Sequence, residues 1–192
     1  MAGKLRIIGG QWRRRLLPVV DLPGLRPTTD RIRETLFNWL QNEIVGAHCL
    51  DLFAGSGALG FEAASRGAAS VTLLELQKSA VQILTQNIIT LNAQNINLSQ
   101  CDAVAWLSSR LTDASIDATT HIYDIVFIDP PFDSQYLDQV CELLVDHPCL
   151  SKRACIYLEM NAKQALPELP DAWQVMKEKK AGQVRCYLIK IG

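Results

Sequence analysis

The sequence predicts an α/β fold built on a doubly wound, mostly parallel sheet. Beyond Gly46, apolar strand-like runs alternate with helical patterns, which is the order typical of this class. Residues 125–128 (Ile-Val-Phe-Ile) show no polar alternation, as expected of a central parallel strand that is covered on both faces. Near the end of the chain, two strand-like segments flank Ala181-Gly182 closely enough to form a hairpin. This hairpin adds an antiparallel strand to the parallel sheet.

The chain opens with a predicted β-hairpin. Residues 5–12 predict a strand and a turn at Gly9-Gly10, and a returning strand with arginines on it runs to Leu17. Eight basic against three acidic residues give residues 1–34 a charge of +5, so the total of −1 leaves −6 for the remainder. This asymmetry indicates either an arm that faces nucleic acid or a solvated, charged hairpin. We expect a hairpin extension in residues 1–27 and the main domain in residues 28–192.

The main domain begins with a predicted helix. Thr28 or Thr29 can cap this helix, its apolar residues recur at a four-residue spacing, and Gly46 ends it. Residues 112–120 are small, polar and turn-rich, which predicts a surface loop. The predicted strands are 49–53, 71–75, 95–99, 122–128, 154–159, 173–179 and 184–190. The further helices are one that ends at Arg66 before Gly67, and those at 80–91, 103–111 and 135–145.

The composition is that of an ordinary globular protein, with 48% hydrophobic and 20% charged residues in a chain of 192. We find no basic-then-apolar leader and no apolar run near the ~20 residues of a membrane span, so we expect a cytoplasmic protein. The six cysteines form no C-x-x-C pair and the three histidines lie far apart. A disulfide framework and a metal site are therefore not expected.

A glycine-rich turn follows the first strand of the main domain. Residues 55–60 (Gly-Ser-Gly-Ala-Leu-Gly) match G-x-G-x-x-G between a strand and a helix. Alone, this turn suits dinucleotide and adenosylmethionine cofactors alike, because its glycines let backbone approach a ligand closely. Asp51 favours adenosylmethionine, since a carboxylate complements a cationic cofactor and repels a pyrophosphate. A dehydrogenase would also need a second domain for its hydride acceptor.

Two more carboxylates follow the next predicted strands. Glu75 closes the second strand, where a carboxylate can accept hydrogen bonds from both ribose hydroxyls. Asp102 follows the third strand and can accept from an adenine amino group, with Cys101 and Ala103 against the ring. Asp is also a preferred helix cap, and this alternative for Asp102 stays open beside the first.

The segment Asp129-Pro130-Pro131-Phe132 follows the predicted fourth strand. An exocyclic amine is a poor nucleophile because its lone pair is delocalised into the ring. Asp129 and the Pro130 carbonyl could accept both amine hydrogens and hold the nitrogen, while Phe132 stacks on a base that has left its helix. Alone, such a segment is ordinary turn punctuation. Its position after the fourth strand favours methylation of an exocyclic or amide nitrogen.

These motifs, together with residues 6–10, 26–38 and 50–60, closely resemble the bacterial 16S ribosomal RNA (guanine-N2)-methyltransferase family of the RsmD type. The resemblance runs from about residue 5 to residue 189, and residues 26–38 are its most family-specific part. It implies a class I S-adenosylmethionine-dependent methyltransferase (Rossmann-like) sheet, mostly parallel with an antiparallel C-terminal hairpin and preceded by the N-terminal β-hairpin. It also implies methylation of one guanine N2 of 16S ribosomal RNA in an assembling or assembled small subunit. We expect the enzyme to be a monomer.

The resemblance assigns roles to individual residues. The implied cofactor-binding residues are Arg26, Thr28, Asp51, Phe53, Ala54, Gly55, Gly57, Glu75, Leu76, Asp102 and Ala103. The guanine would be held by the catalytic residues Asp129, Pro130, Pro131 and Phe132. RNA phosphates would be bound by Arg6, Arg13, Arg14 and Arg15, whereas Trp12 is expected to pack the hairpin. Gln77 departs from the Asp or Asn that related methyltransferases often carry, which leaves only a contact from position 77 in doubt.

Other functions stay open as alternatives. One is methylation of DNA adenine or protein glutamine, although glutamine enzymes usually carry Asn in place of Asp129 and DNA enzymes usually carry a target-recognition domain. Another is a catalytically silent RNA-binding assembly factor, which would be expected to have lost cofactor residues that this chain retains. A dehydrogenase is the least favoured.

Overall fold

The computed structural model describes residues 3–20, 29–112, 122–131, 136–145 and 147–192. The described strands are β1 (Lys4–Arg6), β2 (Leu16–Pro18), β3 (His48–Asp51), β4 (Ser70–Glu75), β5 (Ile96–Gln100), β6 (Tyr123–Ile128), β7 (Leu150–Asn161), β8 (Trp173–Ala181) and β9 (Val184–Ile191). The described helices are α1 (Asp30–Trp39), α2 (Ala58–Ser65), α3 (Lys78–Leu91), α4 (Ala103–Thr112) and α5 (Tyr136–Leu144).

The main sheet has seven described strands in the order β5-β4-β3-β6-β7-β9-β8. Neighbouring strands from β5 to β7 pair in parallel, and β9 pairs antiparallel with both β7 and β8. This arrangement confirms the predicted α/β class and its antiparallel C-terminal hairpin. Strand order reverses between β3 and β6, and ligands of doubly wound folds bind at the carboxyl ends of the strands beside such a reversal.

Helices cover both faces of the sheet. The first buried cluster joins the N-terminal hairpin, α1, α2 and α3 to one face, with the rings of Phe37 and Phe127 at 6.1 Å. The second cluster joins α4 and α5 to the other face and contains Leu107, Val140 and Val126. The side chains of residues 125–128 are all buried, which confirms the central position predicted for this strand.

The first helix differs from its prediction at its C-terminal end. Thr29 caps it, because its Oγ1 accepts a hydrogen bond from the Ile32 N–H at 3.4 Å. The helix ends at Trp39, and turns follow up to Gly46. Leu40 and Ile44 are buried although they lie in these turns, so the apolar spacing continued past the end of the helix. The predicted loop at 112–120 lies outside the described residues, except that Thr112 ends α4.

The N-terminal hairpin is present, but its connection is longer than predicted. Arg13, Arg14 and Arg15 precede β2 instead of lying on it, so their predicted position on the returning strand is wrong. Gly9-Gly10 lies against α2 and does not form the hairpin turn alone. A Cβ on Gly10, whose φ is +74°, would lie 1.8 Å from the Ser65 carbonyl oxygen. The two glycines therefore allow the chain to contact the helix, and the predicted domain boundary at residues 27 and 28 lies outside the described residues.

Candidate active site at the carboxyl edge of the sheet

The sheet register brings the predicted cofactor and base residues to one edge. Asp51 pairs in register with Leu73 on one side and Phe127 on the other. Glu75 and Asp129 each lie two positions beyond those partners, and Glu75 pairs with Gln100. Because the strands are parallel, the carboxylates of Asp51, Glu75 and Asp129 all stand at the carboxyl edge. At this edge, Asp51 and Asp129 lie on either side of the strand-order reversal between β3 and β6.

The glycine-rich turn connects the end of β3 to α2. The Ala54 N–H donates to the Leu74 carbonyl at 2.9 Å, and the Gly57 N–H donates to the Ala54 carbonyl at 2.6 Å. Gly57 has a φ of +76°, and a Cβ there would lie 2.5 Å from the Phe61 ring. Glycine is thus required at position 57 by both backbone conformation and packing. The turn holds the N-terminus of α2 next to the carboxylates.

Glu75 is fixed by two backbone hydrogen bonds. Its Oε2 accepts from the Gly55 N–H at 2.7 Å, and its Oε1 accepts from the Gln77 N–H at 2.6 Å. Each carboxylate oxygen has a second lone pair, so these bonds leave acceptor capacity for ligand hydroxyls. The contact from position 77 uses the main chain, which every residue except proline provides. The departure at Gln77 therefore does not affect this part of the site.

Asp51 is buried in a negative environment. Its side chain is 1% exposed, and its Oδ1 has no hydrogen-bond partner within the described residues. The pKa of Asp51 is raised to about 7 by burial and by the charges of Asp129 and Glu75, which together outweigh the lowering effect of the Phe53 and Gly60 N–H groups. A buried carboxylate without a cation nearby is costly. The site therefore fits a ligand that brings a positive charge and a hydrogen-bond donor.

Asp102 caps α4. Its Oδ1 accepts a hydrogen bond from the Ala105 N–H at 2.8 Å, which confirms the capping alternative. The backbone also ties this corner to Glu75, since the Cys101 N–H donates to the Glu75 carbonyl at 3.1 Å. Ala103 is buried and Cys101 is half-buried, and burial raises the pKa of the Cys101 thiol. A contact from Asp102 to adenine is compatible with the cap and stays a prediction.

The structure describes Asp129, Pro130 and Pro131 directly after β6. Asp129 is partly exposed, and Pro130 is buried. Asp129 lies close enough to Asp51 for its charge to raise the pKa of that carboxyl. The segment after β6 and the end of β3 therefore interact electrostatically. Phe132, Arg26 and Thr28 lie outside the described residues, and their implied roles stay predictions.

Two residues of this edge were not anticipated from the sequence. Tyr136, the first residue of α5, lies with its ring centroid 5.6 Å from that of Phe53. Glu159 on β7 is 3% exposed and accepts a hydrogen bond from the Tyr157 hydroxyl at 2.7 Å. Because Ile128 pairs with Leu158, Glu159 stands beside Asp129. The available signals were an acidic residue inside the apolar run 154–160 and an aromatic residue shortly after Phe132.

The predicted RNA-binding arginines are not part of the carboxylate cluster formed by Asp51, Glu75 and Asp129. Arg6 forms an ion pair with Asp30, in which its Nε donates to Oδ2 at 3.1 Å. Arg13, Arg14 and Arg15 are exposed, but the connection that holds them contacts the C-terminal end of α2. Since a helix between parallel strands runs back along the sheet, that end lies toward the amino edge. Trp12 is 8% exposed within the core, which confirms that it packs the hairpin.

Membrane-spanning helices and metal-binding clusters are both absent from the described part of the chain. No helix there is long and apolar enough to cross a membrane. No group of three or more His, Cys, Asp or Glu side chains there is arranged to hold a metal ion.

Comparison with known proteins relates this geometry to a family. A family model described as "Conserved hypothetical protein 95" matches residues 5–190. Ribosomal RNA small subunit methyltransferase D of Escherichia coli (strain K12) is 49% identical over 183 residues, which cover 95% of this chain and 88% of the relative. The protein of the same name from Haemophilus influenzae is 43% identical over 187 residues, covering 95% of this chain and 91% of the relative.

Solved structures agree with the sequence matches. The structure of the Escherichia coli protein yhhF superposes with a TM-score of 0.87 at 44% identity and covers 98% of both chains. The protein SMU.776, complexed with SAH, has a TM-score of 0.65 at 18% identity over 92% of this chain and 52% of that protein, and shows the fold alone. The family model and the identities together show that the chain belongs to the RsmD-type family of ribosomal RNA small subunit methyltransferases.

Proposed function

We propose that the protein transfers a methyl group from S-adenosylmethionine to the exocyclic N2 of one guanine in 16S ribosomal RNA of the small subunit. The observation that carries this proposal is the buried carboxylate of Asp51, which has no cationic partner among the described residues and lies with Glu75 and Asp129 at one sheet edge. The names of the relatives support methyl transfer to small-subunit ribosomal RNA. The choice of guanine N2 rests on the family resemblance of the Asp129-Pro130-Pro131-Phe132 segment.

The donor half of the site is formed by the ends of β3, β4 and β5. Asp51 Oδ1 is placed to accept from the ammonium group of the methionine part, and a cation there offsets the cost of its buried charge. The free lone pairs of Glu75 are suited to the ribose hydroxyls. Leu76 is 53% exposed, which offers apolar surface to the adenine ring opposite Ala103. A protein of the same fold binds SAH, which is the product of this donor.

The acceptor half is formed by the residues after β6. Asp129 and the Pro130 carbonyl would accept the two hydrogens of the guanine amine and thereby keep its nitrogen directed at the donor. When bound, S-adenosylmethionine supplies an electrophilic methyl group on a sulfonium centre. Asp129 is also placed to take the proton that the nitrogen loses. Phe53 and Tyr136 provide an aromatic surface beside the turn.

Incubation with labelled methyl donor followed by nucleoside analysis tests the proposed function. The substrates should be small subunits that lack the modification, naked 16S ribosomal RNA and DNA. We expect label in N2-methylguanosine from subunits or ribosomal RNA. Label only in adenine or in protein, or no label at all, would contradict the proposal.

Replacement of Asp129 tests the acceptor half. We expect Asp129→Ala to lower turnover by about 10²–10³-fold, because one of two acceptors that position the amine is lost, while donor binding is retained. Asp124→Ala is the matched control, since Asp124 lies near the start of β6, the strand that Asp129 follows, and accepts from the His48 N–H at the amino edge. Single-turnover rates and donor dissociation constants measure both effects. Equal rates in the two variants would refute the role of Asp129.

A further inference from the structure

The outer strand of the C-terminal hairpin carries a row of lysines. Lys177, Lys179 and Lys180 on β8 are exposed, and none of the three forms an ion pair with a described residue. The ion pair found on this hairpin joins Arg185 to Glu178 at 3.5 Å. β8 is the last strand in the order of the described sheet, so its outer side faces no other described strand. The row is therefore open to a partner.

The charge of the chain divides into three blocks. Residues 35–149 contain three basic and thirteen acidic residues, which gives −10. Residues 150–192 contain eight basic and four acidic residues, which gives +4. The C-terminal strands are thus a second basic region, besides the N-terminal hairpin, on an otherwise acidic protein. A local excess of this kind attracts polyanions although the total charge is −1.

The ladder register shows where these lysines stand relative to the active site. Phe127, which pairs with Asp51, also pairs with Tyr157, and Tyr157 pairs with Leu188. Leu188 pairs with Lys177, so Lys177 lies on the same row of the sheet as Asp51. By the same ladder, Lys179 pairs with Cys186 and Cys186 pairs with Glu159, which stands beside Asp129.

The lysine row and the catalytic residues share the carboxyl edge. β8 is antiparallel to β9, and β9 is antiparallel to β7, so β8 again runs parallel to β7. Three strand spacings of ~4.8 Å separate β6 from β8, which places Lys179 about 14 Å from Asp129. One strand of stacked nucleic acid spans this distance with about four phosphates, at ~3.4 Å each.

We propose that Lys177, Lys179 and Lys180 bind backbone phosphates of the RNA whose guanine enters the active site. This inference rests on the proposed function and adds a second contact surface to it. Phosphate contacts fix the orientation of a nucleic acid without reading its sequence, which suits a row of flexible ammonium groups. Side chains of successive strand residues point to opposite faces, so Lys179 and Lys180 extend from opposite faces of the sheet near its carboxyl edge.

Lysines on edge strands have another known role. Their charges keep the exposed edge hydrated and repel a second chain, which prevents that chain from pairing with the edge. This role requires the charge but predicts no change in RNA affinity when the charge is removed. The two explanations therefore predict different results for the same variant.

The test compares two triple variants that remove equal charge. K177Q/K179Q/K180Q removes the row at the carboxyl edge, whereas K152Q/R153Q/K190Q removes three cations of the same region at the amino edge. Binding to small subunits that lack the modification is measured between about 50 and 200 mM salt. We expect the slope of log affinity against log salt to fall by about 2 for the first variant, since each phosphate contact contributes ~0.7. The control should keep the wild-type slope.

Methyl transfer supplies the second measurement. The KM for subunits should rise in the first variant, while the rate at saturating subunits and the donor dissociation constant stay at wild-type values. Equal slopes in the two variants overturn the proposal, and so does wild-type RNA affinity combined with self-association in size-exclusion chromatography. If the wild type transfers no methyl group to guanine yet binds subunits through the lysines, the proposed function fails and the phosphate surface stands.

Discussion

Two buried carboxylates near the ends of α2 have opposite surroundings. Glu62 is fully buried, and its oxygens accept from the N–H groups of Ile8 and Gly9 at 2.8 Å each. It also accepts from Arg66 Nε at 2.7 Å and lies 3.7 Å from Arg33 Nη1. Asp51 is almost as deeply buried, but the charges that act on it within the described residues are those of the carboxylates Asp129 and Glu75.

The difference separates a structural charge from a binding charge. The charge of Glu62 is compensated by protein groups, and it joins the N-terminal hairpin to α2 and α1. The charge of Asp51 is not compensated within the described residues, so its cost is recovered only when a cation binds. Burial alone does not distinguish the two residues, whereas the sign of the neighbouring charges does.

Removal of Glu62 should give the largest effect. We expect Glu62→Ala to lower the free energy of unfolding by about 3–5 kcal/mol, because the N–H groups of Ile8 and Gly9 and the Arg66 guanidinium lose their acceptor, and the buried Arg33 keeps only its ion pair with Asp30. Urea unfolding at neutral pH measures this loss. Glu178→Ala is the control, since its ion pair with Arg185 is solvent-exposed and should contribute little to stability. Equal losses in the two variants would break the comparison.

Neutralisation of Asp51 should stabilise the cofactor-free protein. The pKa of Asp51 rises from an ordinary 3.8 to about 7 on folding, so the folded state holds a proton that the unfolded chain releases. Stability from this group is therefore lost as pH rises from about 4 to about 7. We expect Asp51→Asn to raise the free energy of unfolding at pH ~8 by up to about 4 kcal/mol, and by much less at pH ~5.

The same substitution should weaken donor binding, because the neutral amide no longer attracts a cation. Urea unfolding at the two pH values and donor titration by calorimetry measure the two effects. A variant that is destabilised at pH ~8 would contradict the uncompensated charge assigned to Asp51.

Donor affinity should show the smallest of the three effects, as a dependence on pH. Below pH ~7 the Asp51 carboxyl is mostly protonated, and a cationic donor must displace that proton. The dissociation constant of the donor should therefore fall as pH rises from about 6 to about 8, by up to about tenfold per pH unit at the acid end. Calorimetry in two buffers of different ionisation enthalpy measures the released proton directly. Absence of proton release at pH ~6 would show that Asp51 is already compensated.

Local patterns were sufficient for the order of elements and for one strand of the core. The unbroken apolar run at 125–128 and the four-residue spacing before Gly46 depend on neighbours in sequence, and the structure confirms them apart from the end of α1. The meeting of three carboxylates at one place was also predictable, because the carboxyl ends of parallel strands lie at one edge of the sheet. Asp51, Glu75 and Asp129 were identified for that reason.

Features that depend on distant partners were not predictable in this way. Gly9-Gly10 has the composition of a hairpin turn, and only the position of Ser65 shows that it serves close contact with α2. The placement of Glu159 beside Asp129 depends on the pairing of β6 with β7. The raised pKa of Asp51 depends on burial by the folded chain and on carboxylates 24 and 78 positions later in the sequence.

The contact between the hairpin and α2 also sets an order of events in folding. The Gln11 N–H donates to the Ser65 carbonyl at 2.8 Å, and the Trp12 N–H donates to the Ser65 hydroxyl at 3.0 Å. During synthesis, the connection between β1 and β2 therefore cannot complete its hydrogen bonds until residue 65 has left the ribosome. β1 and β2 can pair with each other early, but the contact of their connection with α2 must wait while more than fifty residues are added, and it is a late, non-local step.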